Sequence, residues 1–255
     1  PIIAEIAKEI GAIVVGVVTM PFKIERARIK RAKEGVEPPF LPGTTEPIND
    51  YVNRAVDLIK RYPSMNERDT ISSLVEPLLK ALGWDIWNLD EVQREYPIHI
   101  GKKTEYVDIA LKIDNKPVMF IEAKSLGTPL YDHLAEQPIK YANAEAVDWC
   151  ILTNGREWRI YNAFWRVKGI KPKMLFKISV DEFGEKKDSL YLLSKESVKA
   201  GDLERKGQIE HAQKMVAEWF RQNERNIIEE VVGLDPSLKE EWVRCALKKL
   251  VKIEE

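Results

Sequence analysis

The stretch PVMFIEAKSL, residues 117–126, decides the fold. An apolar run opens it, and the run ends in the tripeptide Glu122, Ala123, Lys124. The apolar run predicts a buried strand. Because successive side chains of a strand alternate between its faces, Glu122 and Lys124 should point to one face and Ala123 to the other. Two opposite charges therefore stand together at the end of a strand that is otherwise apolar.

A second acidic residue belongs to the same constellation. Asp108 lies on the preceding predicted strand, which joins the apolar strand through the turn residues Asp114, Asn115 and Lys116. If that turn makes a hairpin, two carboxylates and an ammonium meet at one end of a sheet. Burying these charges is costly unless they pair with one another or bind a cation.

Two interpretations of this cluster remain open. Carboxylate oxygens suit Mg²⁺ or Mn²⁺, and a lysine beside them can orient or help to deprotonate a water that attacks a phosphodiester. Alternatively, Asp108 and Glu122 form ordinary ion pairs with Lys124, Lys102 or Lys103 on a solvated face.

The order of elements around the cluster predicts an α/β (α+β) fold, with a mixed sheet of four or five strands flanked by helices. A helix with Ser64 or Asn66 as its cap, and with Gly83 after it, leads the unit. The predicted elements that follow are strands 91–100, 104–113 and 117–124, helix 132–145, and strands 148–155 and 157–165. Beyond Val180 the chain is mostly helical, and residues 1–36 read as a helix–strand–helix appendage.

Composition excludes several classes of protein. The 255 residues are 44% hydrophobic and 32% charged, as in a globular protein, and 40 basic residues balance 41 acidic ones. The charge balance therefore gives no sign of a polyanion partner. The longest apolar run, AIVVGVVTM, is too short to cross a bilayer, and two distant cysteines suit a reducing compartment, so we expect a cytoplasmic protein without membrane contact.

These residues resemble the PD-(D/E)xK nuclease superfamily. Residues 64 to about 200 are more closely similar to the N-terminal nuclease domain of type I restriction enzyme R subunits and their stand-alone relatives. The similar stretches occur in the family's order: NERDTISSLVEPLLKALGW, EYPIHIGKKTEYVDIAL, VMFIEAKSL, EQPIKYA, WCILTNGREWRIYN and LYLLSKESV.

The resemblance implies a role for particular residues. Asp108 and Glu122 would bind Mg²⁺ or Mn²⁺ together with the carbonyl of Ala123, and Lys124 would be the catalytic lysine. Glu67 on the leading helix would complete the site, with Glu76 as the alternative position, and either could instead be an ordinary helix carboxylate. Glu95 is a further candidate, for a hydrogen bond to a metal-bound water.

Gln137 and Tyr141 match the Q-x-x-x-Y element that this branch shares with RecB-type nucleases, which implies contact with the substrate backbone. Their spacing places them on one helical face. Pro138 lies between them and is compatible with a helix only near its start. His99 and the turn at Asn154–Gly155 are expected to be structural, and Trp84, Trp87, Trp149 and Trp158 to pack in the core and at its rim.

The N-terminal segment resembles a different family. Residues 1–36 are similar to a piece of FtsZ, the tubulin-like division GTPase, but lack its glycine-rich phosphate loop, so no GTP binding or polymerisation is expected. The basic run within residues 26–33 is expected to be a solvated helix face, or alternatively to contact DNA phosphates.

Together these features predict a metal-dependent DNA endonuclease of the restriction type, with DNA as partner and homodimerisation as a possibility. The predicted organisation is an FtsZ-like fragment at 1–36, a linker and helix at 37–63, the nuclease domain at 64–185 and a helical region at 186–255. The alternatives are a catalytically weak nucleic-acid-binding or regulatory protein on a nuclease fold, and a module that interacts with FtsZ through residues 1–36.

Overall fold

The computed structural model describes residues 45–251. The predicted FtsZ-like helix–strand–helix of residues 1–36 lies outside the described residues. Within them, the chain up to Gly207 forms one compact unit, and the chain from Gln208 onward belongs to a second. The domain limits expected from the sequence stay a prediction.

The first unit contains six strands with helices before, between and after them. The strands are β1 Val92–Ile100, β2 Lys103–Ile113, β3 Lys116–Ala123, β4 Trp149–Thr153, β5 Glu157–Asn162 and β6 Met174–Ser179. The α-helices along the described chain are α1 Thr45–Arg61, α2 Glu67–Thr70, α3 Glu76–Ala81, α4 Glu136–Ala144, α5 Lys187–Tyr191, α6 Lys195–Ala200, α7 Asp202–Leu234 and α8 Glu240–Val251. A π-helical stretch, Ile71–Val75, joins α2 to α3, and 3₁₀ turns cover Asp132–Ala135, Lys171–Lys173 and Val180–Glu182.

The six strands form a single mixed sheet in the order β1-β2-β3-β4-β5-β6. Strands β3 and β4 are parallel, and every other neighbouring pair is antiparallel. The predicted mixed sheet flanked by helices, with a helical C-terminal region, is confirmed. The expected count of four or five strands was wrong, because β6 follows a Lys-, Gly- and Pro-rich approach that reads as loop and its own alternation is weak.

Both faces of the sheet are buried. On one face, β3 contributes Met119 and Ile121 to an apolar cluster with the helices that precede the sheet. On the other face, Phe120 packs in a second cluster that includes Ile139 and Ala142 of α4. A strand covered on both faces explains the uninterrupted apolar run before Glu122.

The leading helix carries the predicted apolar stripe and the predicted cap. Leu74, Val75 and Leu78 are fully buried against the sheet. Asn66 is the N-cap, and its Oδ1 accepts a hydrogen bond of 2.9 Å from the backbone N–H of Asp69. This cap fixes the start of α2, and with it the position of the adjacent Glu67.

The second unit contributes most of α7 and all of α8. Across residues 45–251, no helix combines the length and the apolar character that crossing a bilayer requires.

Candidate active site

Strand register brings the two predicted carboxylates face to face. Ile109 of β2 pairs with Ile121 of β3, and the same register sets Asp108 opposite Glu122. The Asp108 carboxylate also accepts a hydrogen bond of 2.7 Å at Oδ2 from the backbone N–H of Ala123. The side chain of Asp108 thus serves as the hydrogen-bond acceptor for the backbone at the end of β3.

Lys124 joins the carboxylates from the residue after β3. Its Nζ lies 2.7 Å from Oε1 of Glu122 and 3.9 Å from Oε2 of Glu67. The backbone N–H of Lys124 donates to the carbonyl of Thr153 at 2.8 Å, which ties this residue to the end of β4. Backbone contacts on both sides of the tripeptide therefore hold the cluster in place.

The charges in this cluster are unbalanced and partly desolvated. Burial, with the neighbouring charge of Asp108, raises the pKa of Glu122 to about 7, although Lys124 opposes the rise. Burial also raises the pKa of Asp108, against the lowering effect of the Ala123 N–H. Burial lowers the pKa of Lys124, but the surrounding carboxylates outweigh it and raise that pKa overall. Lys124 is consequently an ammonium at neutral pH.

One oxygen of the cluster lacks a partner. Oε2 of Glu122 is buried and accepts no hydrogen bond from the described residues. A buried carboxylate oxygen without a donor is costly unless something else satisfies it. The residues present therefore fit a divalent cation, whose preferred ligands are oxygens.

The cation would not be held by acidic side chains alone. No group of three or more His, Cys, Asp or Glu side chains in the described part of the chain could hold a metal ion. The predicted set contains two carboxylates and the carbonyl of Ala123, and waters would supply the remaining ligands, as is usual for Mg²⁺.

The two candidates for an acidic residue on the leading helix are placed differently. The charge of Glu67 raises the pKa of both Asp108 and Glu122, so its carboxylate belongs to the cluster. Glu76 instead accepts a hydrogen bond of 2.5 Å from Nε of Arg94. Glu67 is the one that approaches Lys124.

Gln137 and Tyr141 lie on one side of α4, as predicted. Nε2 of Gln137 donates to the Tyr141 hydroxyl at 3.0 Å, and the charge of Glu122 contributes to a raised pKa of Tyr141, after burial as the main cause. Pro138 is the third residue of α4. The first four N–H groups of a helix have no partner within it, so proline there costs no helical hydrogen bond.

The pairing of β1 with β2 shows a feature that the sequence did not reveal. Tyr96 and Val107 pack in the α4 cluster, whereas Ile109, two positions along β2, packs in the opposite one. Regular alternation would put Val107 and Ile109 on the same face. The strand pair therefore turns between them, at Asp108 and its opposite residue Glu95, which has a φ of 47°.

Glu95 adds negative charge at this turn. Its side chain is exposed, and its charge contributes to the raised pKa of Asp108. A non-glycine residue in the left-handed region is uncommon, and such residues concentrate at functional sites. A glutamate in a strand gives no sequence signal of this backbone conformation.

The remaining candidates differ in their surroundings. Asn154 accepts backbone hydrogen bonds from Arg156 and Glu157 and donates 2.9 Å to the carbonyl of Thr128, so it links the β4–β5 turn to the loop after Lys124. His99 is exposed and contacts Thr104. Trp84, Trp149 and Trp158 are buried as expected, but Trp87 is 80% exposed, so the expectation that it packs in the core or at its rim was wrong.

Comparison with protein families supports the class of domain that this site suggests. Residues 73–171 match the family model described as the type I restriction enzyme R protein N terminus. The match spans Asp108, Glu122, Lys124 and the Gln137–Tyr141 pair, and Glu67 precedes it. The predicted resemblance is confirmed for this part of the chain, and it indicates a domain similar to those of restriction enzymes.

Particular relatives come from a different family. The chain is 43% identical over 82 residues to cell division protein FtsZ 2 of Methanocaldococcus jannaschii, an alignment that covers 32% of this chain and 21% of that protein. It is 32% identical over 96 residues to FtsZ 2 of Haloferax volcanii, which covers 38% and 24% respectively. The chain thus spans less than a quarter of these relatives, and the alignments are longer than the 36 residues on which the resemblance was based.

Among solved structures, the chain is similar to a chain of the cryo-EM structure of a DrdV–DNA complex. The TM-score is 0.38 and the identity 14%, over 73% of this chain and 16% of that one.

Proposed function

We propose that this protein is a metal-dependent DNA endonuclease of the restriction type, with Asp108 and Glu122 as metal ligands and Lys124 as the catalytic lysine. The observation that carries the proposal is the meeting of these three side chains where the end of β3 lies beside the middle of β2, with one buried Glu122 oxygen unpartnered. The match to a restriction enzyme family over the same residues supports it.

The carbonyl of Ala123 is the third protein ligand in this proposal. Its own N–H is directed at Asp108, and in an extended strand the N–H and C=O of one residue point to the same side. Mg²⁺ or Mn²⁺ bound there would stabilise negative charge on the phosphate oxygens.

The chain's own residues have separable roles. The Lys124 ammonium, held by Glu122, donates a hydrogen bond that orients the attacking water or stabilises charge on the phosphate. Glu67, 3.9 Å from the Lys124 ammonium, adds to the negative charge that keeps Lys124 protonated beside the metal ligands. The amide of Gln137 and the hydroxyl of Tyr141 contact the DNA backbone beside the reacting phosphate.

Two substitutions test the assignment. Asp108→Asn can still accept the hydrogen bond from Ala123 but cannot supply a charged ligand, so we expect cleavage of duplex DNA with Mg²⁺ or Mn²⁺ to fall by at least about 100-fold. Lys124→Ala should cause a loss of similar size. Cleavage at the wild-type rate by either variant would show that the reaction takes place at a different site.

The two acidic positions on the leading helix form a matched pair for the same assay. Glu67→Gln should reduce cleavage, because it removes a charge from the cluster. Glu76→Gln should leave the rate unchanged and lower only stability, through its lost contact with Arg94. DNA binding by the wild type without any turnover would instead support a regulatory protein on this fold.

Similarity to FtsZ favours a second candidate role, interaction with FtsZ filaments. Co-sedimentation of the full chain with polymerised FtsZ tests it, and an absence of the protein from the pellet would exclude it.

A further inference from the structure

Strands β1 and β2 extend beyond the sheet next to the candidate site. The register sets Val107 opposite Ala123, the last residue of β3, so residues 103–106 have no strand partner on that side among the described residues. They pair with residues 97–100 of β1, and the two strands join through Gly101 and Lys102. We call residues 96–107 the ribbon. At about 3.3 Å per residue it projects about 13 Å past the end of β3.

One face of the ribbon is anchored to α4. Ile98 and Val107 are fully buried in the α4 cluster. Glu105 pairs through both carboxylate oxygens with Lys140 of α4, each at 2.8 Å. The ribbon is therefore held in a fixed orientation.

The opposite face and the tip are open. His99 and Thr104 are exposed, and Tyr106 is 58% exposed although it lies in the middle of a strand. Lys102 and Lys103 are exposed at the tip, while the nearby carboxylate of Glu105 is engaged by Lys140. The open surface begins next to the candidate site, because Tyr106 is two residues before Asp108 in the sequence.

We propose that the open face and tip of the ribbon dock on duplex DNA, with Lys102 and Lys103 binding backbone phosphates and Tyr106 packing against a sugar or base edge. The proposal rests on the nuclease function proposed above and adds the surface that positions its substrate.

The dimensions of the ribbon and its chemistry favour duplex DNA. A major groove is about 12 Å wide and admits a two-stranded ribbon lying along it, with phosphates at its edges. Ammonium groups at a tip contact phosphates, and an aromatic ring offers a sequence-tolerant surface to sugars and bases. From Asp108 to Lys103 the strand covers about 17 Å, so the tip would reach phosphates about five base pairs from the cleaved bond.

Binding measured without catalysis tests the ribbon directly. The full-length protein is titrated into labelled duplex DNA in EDTA at several salt concentrations, and affinity is read by fluorescence anisotropy. Each of Lys102→Gln and Lys103→Gln should weaken binding and reduce the slope of log affinity against log salt by about 0.9. Tyr106→Ala should weaken binding about tenfold without changing the slope.

Two variants outside the ribbon are matched controls. Lys116→Gln removes an exposed lysine from the β2–β3 turn, at the opposite end of the sheet. Trp87→Ala removes an exposed aromatic ring from the loop before β1. Both should bind like the wild type, and unchanged circular dichroism spectra establish that all variants are folded.

The outcomes separate the ribbon from the nuclease function. Weaker binding by the ribbon variants supports the inference, even if the wild type cleaves no DNA. An absence of cleavage by the wild type would refute only the proposed nuclease function. Ribbon variants that bind and cut like the wild type overturn the inference and leave the nuclease intact. Preference for RNA over duplex DNA, or no DNA binding by the wild type, also overturns it.

Discussion

Replacing Glu122 by glutamine should stabilise the metal-free protein at alkaline pH. The folded state raises the pKa of Glu122 from 4.5 to about 7. Between these values the folded state binds more protons than the unfolded state, so stability falls as pH rises. Each pKa unit is worth about 1.4 kcal/mol, and the ionised carboxylate therefore costs about 3 kcal/mol above pH 7.

Glutamine imitates the protonated acid at every pH. Below pH 4.5 the wild type and Glu122→Gln should have similar free energies of unfolding. At pH 8 in EDTA the variant should be more stable by about 3 kcal/mol. Urea unfolding, followed by tryptophan fluorescence, measures both values; Trp84 and Trp158 are buried in the same unit.

Glu91 is the control, because its pKa in the folded protein is lowered and not raised. A hydrogen bond from Lys195 lowers the pKa of Glu91, so Glu91→Gln should lose stability at pH 8 rather than gain it. Mg²⁺ should stabilise the wild type more than Glu122→Gln, because a ligand that binds only the folded state stabilises it. A stability difference between wild type and Glu122→Gln that stays constant from pH 4.5 to pH 8 would refute the reasoning.

Three further predictions concern other parts of the chain. Gly155→Ala should destabilise the protein by about 3 kcal/mol in urea unfolding, because Gly155 has a φ of 81° and an added Cβ would lie 2.6 Å from Leu74 Cδ1. Gly184→Ala is the control and should be nearly neutral, because an added Cβ there meets nothing within 4 Å. Asn66→Ala should cost about 1 kcal/mol through loss of the helix cap, and Ser64→Ala, at the other candidate cap, should not. Removing residues 1–36 should leave DNA cleavage in vitro unchanged; a lost activity in a correctly folded truncation would show that this segment takes part in the reaction.

The elements closest to the tripeptide could be predicted from the sequence because several signals agree there. The apolar run before Glu122, the turn at Asp114 and Asn115, and the stripe along Leu74 and Leu78 each specify one structure. Register then follows, since shifting a strand by one residue would expose its buried face. The approach of Asp108 to Glu122 is a consequence of that register.

Other features depend on contacts between distant parts of the chain. Strand β6 was missed because its pairing with β5, and not its own pattern, makes it a strand. Glu95, with its left-handed backbone, lies where the β1–β2 pair turns. The pair turns there because Tyr96 packs in the α4 cluster and Ile109 packs in the cluster on the other face of the sheet. Residue propensities within a single segment therefore predict neither strand β6 nor the turn at Glu95.

Measuring the sign of the effect at Glu122 distinguishes the two interpretations of the charged cluster. In an ordinary ion-pair network each carboxylate is stabilised by its partner, its pKa falls, and removing its charge lowers stability. Here Lys124 lies within 4 Å of two carboxylates, and Asp108 and Glu95 add further negative charge nearby. Burial and repulsion outweigh the single ammonium, so the folded protein holds a carboxylate that destabilises it. Stability alone does not account for such a group, whereas the divalent cation of the proposed nuclease would, because it would offset the negative charge.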